Sequence, residues 1–372
     1  MKLPDTLKAI VSDLHKEGIP AYVVGGAVRD HVFGIEPNDF DIATPASKEQ
    51  VYNALSGWQR DIHGKAFGVV AVKHEKEVYE IATFREDISE GRRPVVRFGV
   101  TLEEDAMRRD FTINALYYQI STGKILDPTG GLADIEAQRL RMPGKAEDRL
   151  REDRLRLLRA FRFAARFGLA FDYEIHAAVR DNNSLYYESG ERVSQPRITV
   201  EWKSGIEQAV DPLGYVRSLM DYGMMPAMFP GMPWKGSATI NSRRAAMVLS
   251  DLLSGAEYGE FVRIATSLVD LKFSREDAIG VRFLLGFKRL RSHPEIRLAK
   301  RMEASTDLRR EDLLQWGNHI GDPQLADAYL RYEELAFEDA QNIDPRITSS
   351  AEGGRLYNNM NQERFLSLLK CS

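Results

Sequence analysis

Two aspartates, Asp39 and Asp41, lie two residues apart in the run DFDIAT, which reads as a short β-strand. Successive side chains of a strand point to opposite faces, so both carboxylates lie on the same face and repel each other. A bound Mg²⁺ ion relieves such repulsion, because this cation is held by one or two carboxylates together with substrate phosphates. Taken alone, the pair favours a plainer interpretation, an acidic strand edge that faces solvent.

A glycine-rich turn precedes the acidic pair and favours the metal site over the solvent-facing strand edge. The strand AYVV ends in Gly25 and Gly26, and the following residues, AVRDHVFG, read as a helix. The free N–H groups at a helix start bind anions, and Arg29, one turn further on, can reach the same phosphate. The alternative is a simple tight turn with Arg29 on the surface. Together, the turn and the acidic pair predict a site for a nucleoside triphosphate and metal ions.

A third carboxylate is predicted in the run EVYEIATFR. Glu80 lies among apolar residues of a predicted strand, whereas Glu77 lies in a turn at its start. An acidic side chain inside a strand is rarely buried without a partner. We therefore predict Glu80 as the third catalytic carboxylate, with Glu77 as the alternative.

Arginines are concentrated between Arg139 and Arg166. This segment contains ten basic and four acidic residues, although the net charge of the chain is −4. The run EDRLREDRLRLLRAFRFAARFG reads as one helix that ends at Gly168. On that helix Asp153 and Arg156 are one turn apart, and a surface ion pair is the plainer interpretation. The Asp153 carboxylate as acceptor and the Arg156 guanidinium as donor also match the base edges of cytosine and adenine and mismatch those of uracil and guanine.

The composition limits the class of protein. The chain has 372 residues, 43% of them hydrophobic and 28% charged, which is enough for two or three folded domains. The only cysteine is Cys371, so neither an intrachain disulfide nor a cysteine-based zinc site is possible. We expect a cytoplasmic protein, because the chain has no secretory signal and no apolar run of the ~20 residues that a membrane span needs.

Local patterns predict an α/β head of about 145 residues followed by a helical remainder. In the head we expect a hairpin in AFGVVAVKHEKEVYEIATF and a helix in LEEDAMRRDFTINALYYQ. We also expect a helix capped by Thr44 that begins at Pro45. In the remainder, Ser274 and Asp277 have the spacing of a capping box.

Several ordered motifs resemble those of the class II tRNA nucleotidyltransferase and poly(A) polymerase family of the polymerase-β superfamily. They are GGAVRD, DFDIAT, RRDFTINAL, DPTGGLADI and EDRLRLLRAFRFAARFG. The resemblance implies an α+β protein with a polymerase-β-like head at 1–145, a helical, base-reading neck at 146–205 and a tRNA-binding helical body and tail at 206–372. It also implies site residues: the metal-binding Asp39 and Asp41, and the nucleotide-binding Gly26, Arg29, Arg109, Asp153, Arg156, Arg159 and Arg162.

The expected activity is the template-independent addition of C and A to the 3′ end of tRNA. By resemblance, CTP and ATP are the substrates, pyrophosphate is released and Mg²⁺ supports a two-metal mechanism. Three alternatives stay open. A poly(A) polymerase and a partial enzyme that adds only CC or only A use the same scaffold. An RNA-binding protein without catalysis is the alternative from a different class.

Overall fold

The structure is a computed structural model that describes residues 1–63, 68–89, 95–181, 184–186, 190–290, 299 and 302–331, so Cys371 lies outside the described residues. The chain divides into two compact units, Met1–Val193 and Ser194–Ser372. The first contains a mixed β-sheet with helices, and the described part of the second contains helices without a β-strand. The predicted α+β class is therefore confirmed. The boundaries at 145 and 205 stay a prediction.

A mixed sheet forms the centre of the first unit. Its strands, in chain order, are β1 (Tyr22–Val24), β2 (Asp41–Thr44), β3 (Gln59–His63), β4 (Val69–His74), β5 (Glu77–Thr83), β8 (Tyr117–Gln119) and β9 (Lys124–Leu126). Across the sheet the order of the seven strands is β3-β4-β5-β2-β1-β8-β9. Strand β1 pairs antiparallel with β2 and β8, whereas β2 pairs in parallel with β5. The predicted hairpin is confirmed, because β4 and β5 are antiparallel neighbours.

Two smaller pairs complete the strands. The antiparallel pair consists of β6 (Arg85–Asp87) and β7 (Val96–Phe98), and the parallel pair of β10 (Arg139–Leu140) and β11 (Ala170–Phe171).

The two faces of the sheet have different surroundings. One face packs on helix α1 (Asp5–Lys16), whose Leu7 and Leu14 join Ile42 and Ile81 in a buried core. Ala43 belongs instead to a smaller apolar cluster. Because strand side chains alternate, Asp41 lies on the same face as Ala43, opposite the larger core. The other helices of this unit are α2 (Gly26–Val32), α3 (Lys48–Ala54), α4 (Leu102–Met107), α5 (Gly131–Glu136), α6 (Ala146–Glu152), α7 (Leu155–Phe167) and α8 (Tyr173–Asp181).

Two helix predictions in this unit are wrong. Helix α3 is capped by Ser47, which forms a capping box with Gln50, rather than by Thr44. The run LEEDAMRRDFTINALYYQ is helical only as far as Met107 and continues as a 3₁₀ turn, Thr112–Asn114, and strand β8. Pairing of β8 with β1 overrides the local helical pattern, because the backbone groups of this segment find their partners across the sheet.

The arginine-rich segment is not one helix. It begins as strand β10 and continues as α6 and α7, which are separated at Asp153, where the backbone is extended. The carboxylate of Asp153 accepts a hydrogen bond from the Leu155 N–H at 3.1 Å, and its carbonyl accepts one from the Arg156 N–H at 2.9 Å. Such local bonds of an aspartate compete with helix continuation. The predicted end of the helix is confirmed, since Gly168 caps α7 with φ 66°.

In the second unit the described elements are helical. Ser274 and Asp277 form the predicted capping box at the start of helix α14, Arg275–Gly286. Within the described residues, no helix has both the length and the apolar character that a membrane crossing requires. The helices are α9 (Gln195–Gln208), α10 (Pro212–Asp221), α11 (Met224–Met228), α12 (Ala245–Leu252), α13 (Phe261–Asp270), α14 (Arg275–Gly286) and α15 (Arg310–His319).

Candidate active site

The two aspartates flank the start of β2. Asp41 is the first residue of the strand, and Asp39 lies just before it rather than within it. Phe40 between them is buried, and both aspartates are exposed, so they still lie on the same side of the chain. Within the described part of the protein, neither carboxylate has a hydrogen-bond or salt-bridge partner. Two close carboxylates without a cation are the arrangement that a bound metal ion would stabilise.

The glycine turn lies beside this pair because of the strand register. Val24, the last residue of β1, is directly opposite Asp41, so Gly25 follows at the same end of the sheet. Gly25 has φ 67°, a backbone conformation that favours glycine. A Cβ atom on Gly25 would lie 3.2 Å from Nη1 of Arg109. The absence of a side chain at this position therefore leaves room for the guanidinium of Arg109.

Glu80 lies next to Asp41 across the parallel pairing of β2 with β5. Ile42 is opposite Ile81, so the residues that precede them are adjacent, and Glu80 is exposed. Desolvation raises the pKa of Asp41, the charges of Asp39 and Glu80 raise it further, and Arg109 lowers it. The four side chains therefore share one electrostatic environment. A catalytic role for Glu80 stays a prediction.

The donor set fits a divalent cation that is also bound by groups from outside the protein. Among the described residues, no three His, Cys, Asp or Glu side chains are close enough to hold a metal ion by themselves. Asp39 and Asp41 supply two carboxylates without competing protein partners. Hard cations such as Mg²⁺ accept this arrangement when substrate phosphates and water supply the remaining oxygens.

Arg109 lies between the glycine turn and an inner polar cluster. Its Nε donates to the Tyr117 hydroxyl at 3.1 Å, and its Nη2 donates to a carboxylate oxygen of Asp105 at 3.2 Å. Its Nη1 is 3.5 Å from the carbonyl oxygen of Asn114. The guanidinium also lies 5.0 Å from the centre of the Tyr117 ring, within the range of a cation–π contact.

Arg29 belongs to a buried polar network. It is 6% exposed, forms an ion pair with Asp30 at 2.6 Å and donates to the side-chain oxygen of Asn114 at 2.7 Å. The amide of Asn114 donates to Asp110, which is ion-paired with Arg159 at 2.5 Å. This network connects α2, the 3₁₀ turn and α7. Arg29 and Arg159 therefore have partners within the protein, and their contact with a nucleotide stays a prediction.

Asp153 and Arg156 do not lie on one continuous helix, and that part of the prediction is wrong because the helix is broken at Asp153, between α6 and α7. Arg156 is 9% exposed, and its guanidinium donates to Glu152 at 2.7 Å and to the carbonyls of Arg149 and Arg108 at 2.8 and 3.1 Å. These bonds dock the helix junction on the RRDFTINAL segment. Base reading by the pair stays a prediction.

Arg162 is also largely buried, with its guanidinium 4.3 Å from the centre of the Phe163 ring. Its predicted contact with a nucleotide stays a prediction.

Sequence reasoning missed the acidic and aromatic residues that hold the arginines. Asp105 is fully buried and receives bonds from Arg108, Arg109 and Tyr117. Burial opposes ionisation of Asp110, but Arg159 and Asn114 outweigh it and hold its pKa well below the ordinary value. The available signal was the presence of aspartates close to apolar residues in the run EEDAMRRDFTINALYY, since buried acids need partners.

Comparison with known proteins agrees with this geometry. Residues 21–141 match the poly A polymerase head domain family. Poly(A) polymerase I of Haemophilus influenzae is 31% identical over 260 residues, which are 67% of this chain and 56% of that protein. The CCA-adding enzyme of Bacillus subtilis is 42% identical over 194 residues, 51% of this chain and 47% of that protein. The chain thus spans about half the length of these curated relatives.

A solved structure extends the likeness to almost the whole chain. The crystal structure of the Bacillus stearothermophilus CCA-adding enzyme in complex with CTP matches with a TM-score of 0.64 and 25% identity, over 99% of this chain and 83% of that chain. The first unit therefore contains a nucleotidyltransferase head, a class of domain that generally works with divalent metal ions. The chain belongs to the class II tRNA nucleotidyltransferase and poly(A) polymerase family.

Proposed function

We propose that this chain is a CCA-adding tRNA nucleotidyltransferase. It adds C and A to the 3′ end of tRNA from CTP and ATP, without a nucleic-acid template, and releases pyrophosphate. The observation that carries the proposal is the position of Asp39 and Asp41 beside the glycine turn and Arg109, on a head shared with enzymes of this activity.

We infer that Mg²⁺ is the metal and that Asp39 and Asp41 hold it. When bound, the metal supplies positive charge that lowers the pKa of the attacking 3′-hydroxyl and stabilises the leaving pyrophosphate. The protein's own contribution is largely the positioning of charges. Asp41 favours a nearby cation because desolvation, Asp39 and Glu80 all disfavour its unpaired ionised form.

The glycine turn and Arg109 supply the nucleotide side of the site. Gly25 and Gly26 lack side chains, so a phosphate can approach the backbone of the turn closely, although the Gly25 N–H already donates to the carbonyl of Leu116 at 3.3 Å. Arg109 uses three of the five N–H donors of a guanidinium within the described part of the protein. Two donors remain, and they are suited to a phosphate or ribose oxygen of the nucleotide.

Choice of nucleotide is assigned to Asp153 and Arg156. An aspartate acceptor and an arginine donor accept the amino group and ring nitrogen of cytosine or adenine and mismatch uracil and guanine, at roughly 1–3 kcal/mol per contact. Arg156 is only 9% exposed, and its guanidinium is bonded to Glu152 and to two backbone carbonyls, so little of it is open to a base in this arrangement. We therefore expect base reading to require a local rearrangement at the junction of α6 and α7.

The RNA partner is the acceptor end of tRNA, and the predicted neck, body and tail are assigned to holding it. A cytoplasmic location belongs to the same proposal.

A poly(A) polymerase is the second candidate. It is favoured by the 31% identity with Poly(A) polymerase I, which extends over more of this chain than the match to the Bacillus subtilis CCA-adding enzyme. A poly(A) polymerase would extend many RNA 3′ ends with ATP alone. A CCA-adding enzyme would require tRNA and would use CTP before ATP.

One assay separates these functions. The purified protein is incubated with Mg²⁺ and either tRNA that lacks its terminal CCA or an unstructured RNA of equal length, with CTP, ATP or both. We expect two nucleotides to be added to the tRNA with CTP alone and three with both, and no extension of the unstructured RNA. Extension of both RNAs with ATP alone would instead identify a poly(A) polymerase.

A further inference from the structure

Arg109 is held from one side by a tyrosine and an aspartate for which the proposed reaction gives no role. Tyr117, the first residue of β8, is fully buried, and its hydroxyl accepts the bond from Nε of Arg109. The same hydroxyl donates to Asp105 at 2.6 Å. Asp105 also accepts from Nη2 of Arg109, so the three side chains form a closed ring of hydrogen bonds.

The ring is well defined because the charge of every member is fixed. Desolvation and the negative charge of Asp105 raise the pKa of Tyr117 above its ordinary value, against the lowering effect of Arg109, so the hydroxyl stays protonated. Desolvation raises the pKa of Asp105, but Arg108 and Arg109 outweigh it, so the carboxylate stays ionised. Tyr117 therefore donates to Asp105 and accepts from Arg109, in one direction only.

The ring also determines where the guanidinium points. Two of its nitrogens are bound to Tyr117 and Asp105, and Nη1 lies at the glycine turn, 3.2 Å from the position of a Cβ on Gly25. An arginine side chain has four rotatable bonds before its planar group, so an unrestrained guanidinium would sample many positions. Fixing it before the substrate arrives removes an entropic cost of binding.

We propose that Tyr117, together with Asp105, is a positioning residue that aims Arg109 at a bound nucleoside triphosphate without touching the nucleotide itself. This inference rests on the proposed function, because it assumes that a nucleotide occupies the site between the glycine turn and the acidic pair. A purely structural role is the alternative, since Asp105 also accepts bonds from Arg108 and from the Arg85 N–H. Tyr117 is the better residue to test, because replacement by phenylalanine removes only its hydroxyl.

The experiment is a double-mutant cycle on the full chain, with equilibrium binding of CTP as the readout. The variants are Tyr117→Phe, Arg109→Gln and the two combined. Tyr118→Phe is the matched control, because it makes the same change at the next residue of β8, whose side chain points to the opposite face of the sheet. Thermal unfolding is measured for each variant, and the KM for CTP and the KM for tRNA are measured separately.

Tyr117→Phe is expected to weaken CTP binding about 5-fold, the effect of one lost hydrogen bond of ordinary strength. The KM for CTP is expected to rise with it, whereas the KM for tRNA stays unchanged. Tyr118→Phe is expected to bind CTP like the parent protein. In the Arg109→Gln background, Tyr117→Phe is expected to have no further effect, because Tyr117 acts through Arg109.

Two results would overturn the inference while leaving the proposed function intact. The first is that Tyr117→Phe binds CTP as tightly as the parent protein. The second is that Tyr117→Phe lowers CTP affinity 5-fold both with and without Arg109, which would show a general structural effect. A parent protein that binds no CTP would instead contradict the proposed function itself, and this inference with it.

Discussion

Val24 lies directly opposite Asp41 in the antiparallel pairing of β1 with β2. Because Val24 ends one strand and Asp41 begins the other, the glycine turn and the carboxylate are at the same end of the sheet. This relationship explains why two motifs separated along the chain lie at one place. It also makes the acidic pair the first target for mutation.

Replacing Asp39 or Asp41 with alanine is expected to reduce nucleotide transfer by at least about 100-fold, because metal-ion catalysis contributes several kcal/mol to the rate. Neither change should lower the thermal unfolding temperature, since each removes a repulsive charge and neither carboxylate has a partner among the described residues. The measurement is CTP incorporation into tRNA that lacks CCA. Glu36→Ala is the control, an exposed acid in the same connecting segment. Near-normal transfer by either aspartate variant would refute the metal site.

Replacing Asp153 with alanine is expected to raise the use of UTP relative to CTP. The Asp153 carboxylate accepts the amino group of cytosine and mismatches the carbonyl that uracil has in its place, and the variant lacks this carboxylate. Stability should also fall by about 1 kcal/mol, since the carboxylate accepts a hydrogen bond from the Leu155 N–H at the start of α7. The measurement is the ratio of CTP to UTP incorporation, with unfolding followed in parallel.

The chain supplies a close control for this variant. The pentapeptide EDRLR occurs twice in succession, and Asp148 occupies in the first copy the position that Asp153 has in the second. Asp148 lies within α6 and is ion-paired with Arg151 at 3.4 Å. Asp148→Ala should leave the CTP to UTP ratio unchanged. If Asp153→Ala behaves in the same way, Asp153 has only a structural role.

Replacing Asp110 with asparagine is expected to alter the pH dependence of stability. The pKa of Asp110 is lowered on folding, so its stabilising effect is present above the unfolded pKa and is lost as the pH falls toward the folded value. The free energy of unfolding of the parent protein should therefore decrease more steeply than that of Asp110→Asn as the pH falls below about 4. At pH 7 the variant should be less stable by roughly 2–3 kcal/mol, because a charged hydrogen bond is lost. Urea unfolding at several pH values measures both effects, and parallel curves would contradict this account of Asp110.

The connections between segments were less predictable from the sequence than the segments themselves. The hairpin of β4 and β5 follows from local periodicity and was predicted. Strand β8 was not, because its strand conformation depends on pairing with β1, which is distant in sequence. The break at Asp153 depends on a side-chain bond that competes with helix, and a periodic pattern does not reveal such a bond.

The site residues also differ in how well the sequence predicts them. The aspartates and the glycine turn could be chosen by residue type and spacing. The partners of Arg109 could not, since Asp105 and Tyr117 meet it only after a 3₁₀ turn and a change of direction between α4 and β8.

Replacing Gly131 with alanine is expected to destabilise the protein by about 1–3 kcal/mol, because a Cβ there would lie 2.3 Å from the carbonyl oxygen of Thr112. Transfer activity should also fall, since Thr112 begins the 3₁₀ turn that contains Asn114, the partner of Arg29. Gly57→Ala is the control, because nothing lies within 4 Å of its Cβ position. Equal urea midpoints for the two variants would contradict the close contact between α5 and this turn.

The most direct test of the proposed function is to sequence the 3′ ends of the RNA products. The parent protein is incubated with tRNA that lacks its terminal CCA, Mg²⁺ and all four nucleoside triphosphates, and Asp41→Ala is treated in parallel. We predict that the parent products end in CCA and are extended no further, whereas the Asp41→Ala sample returns the starting RNA. Tracts of adenosine, or ends that contain U or G, would contradict the assignment of this chain as a CCA-adding enzyme.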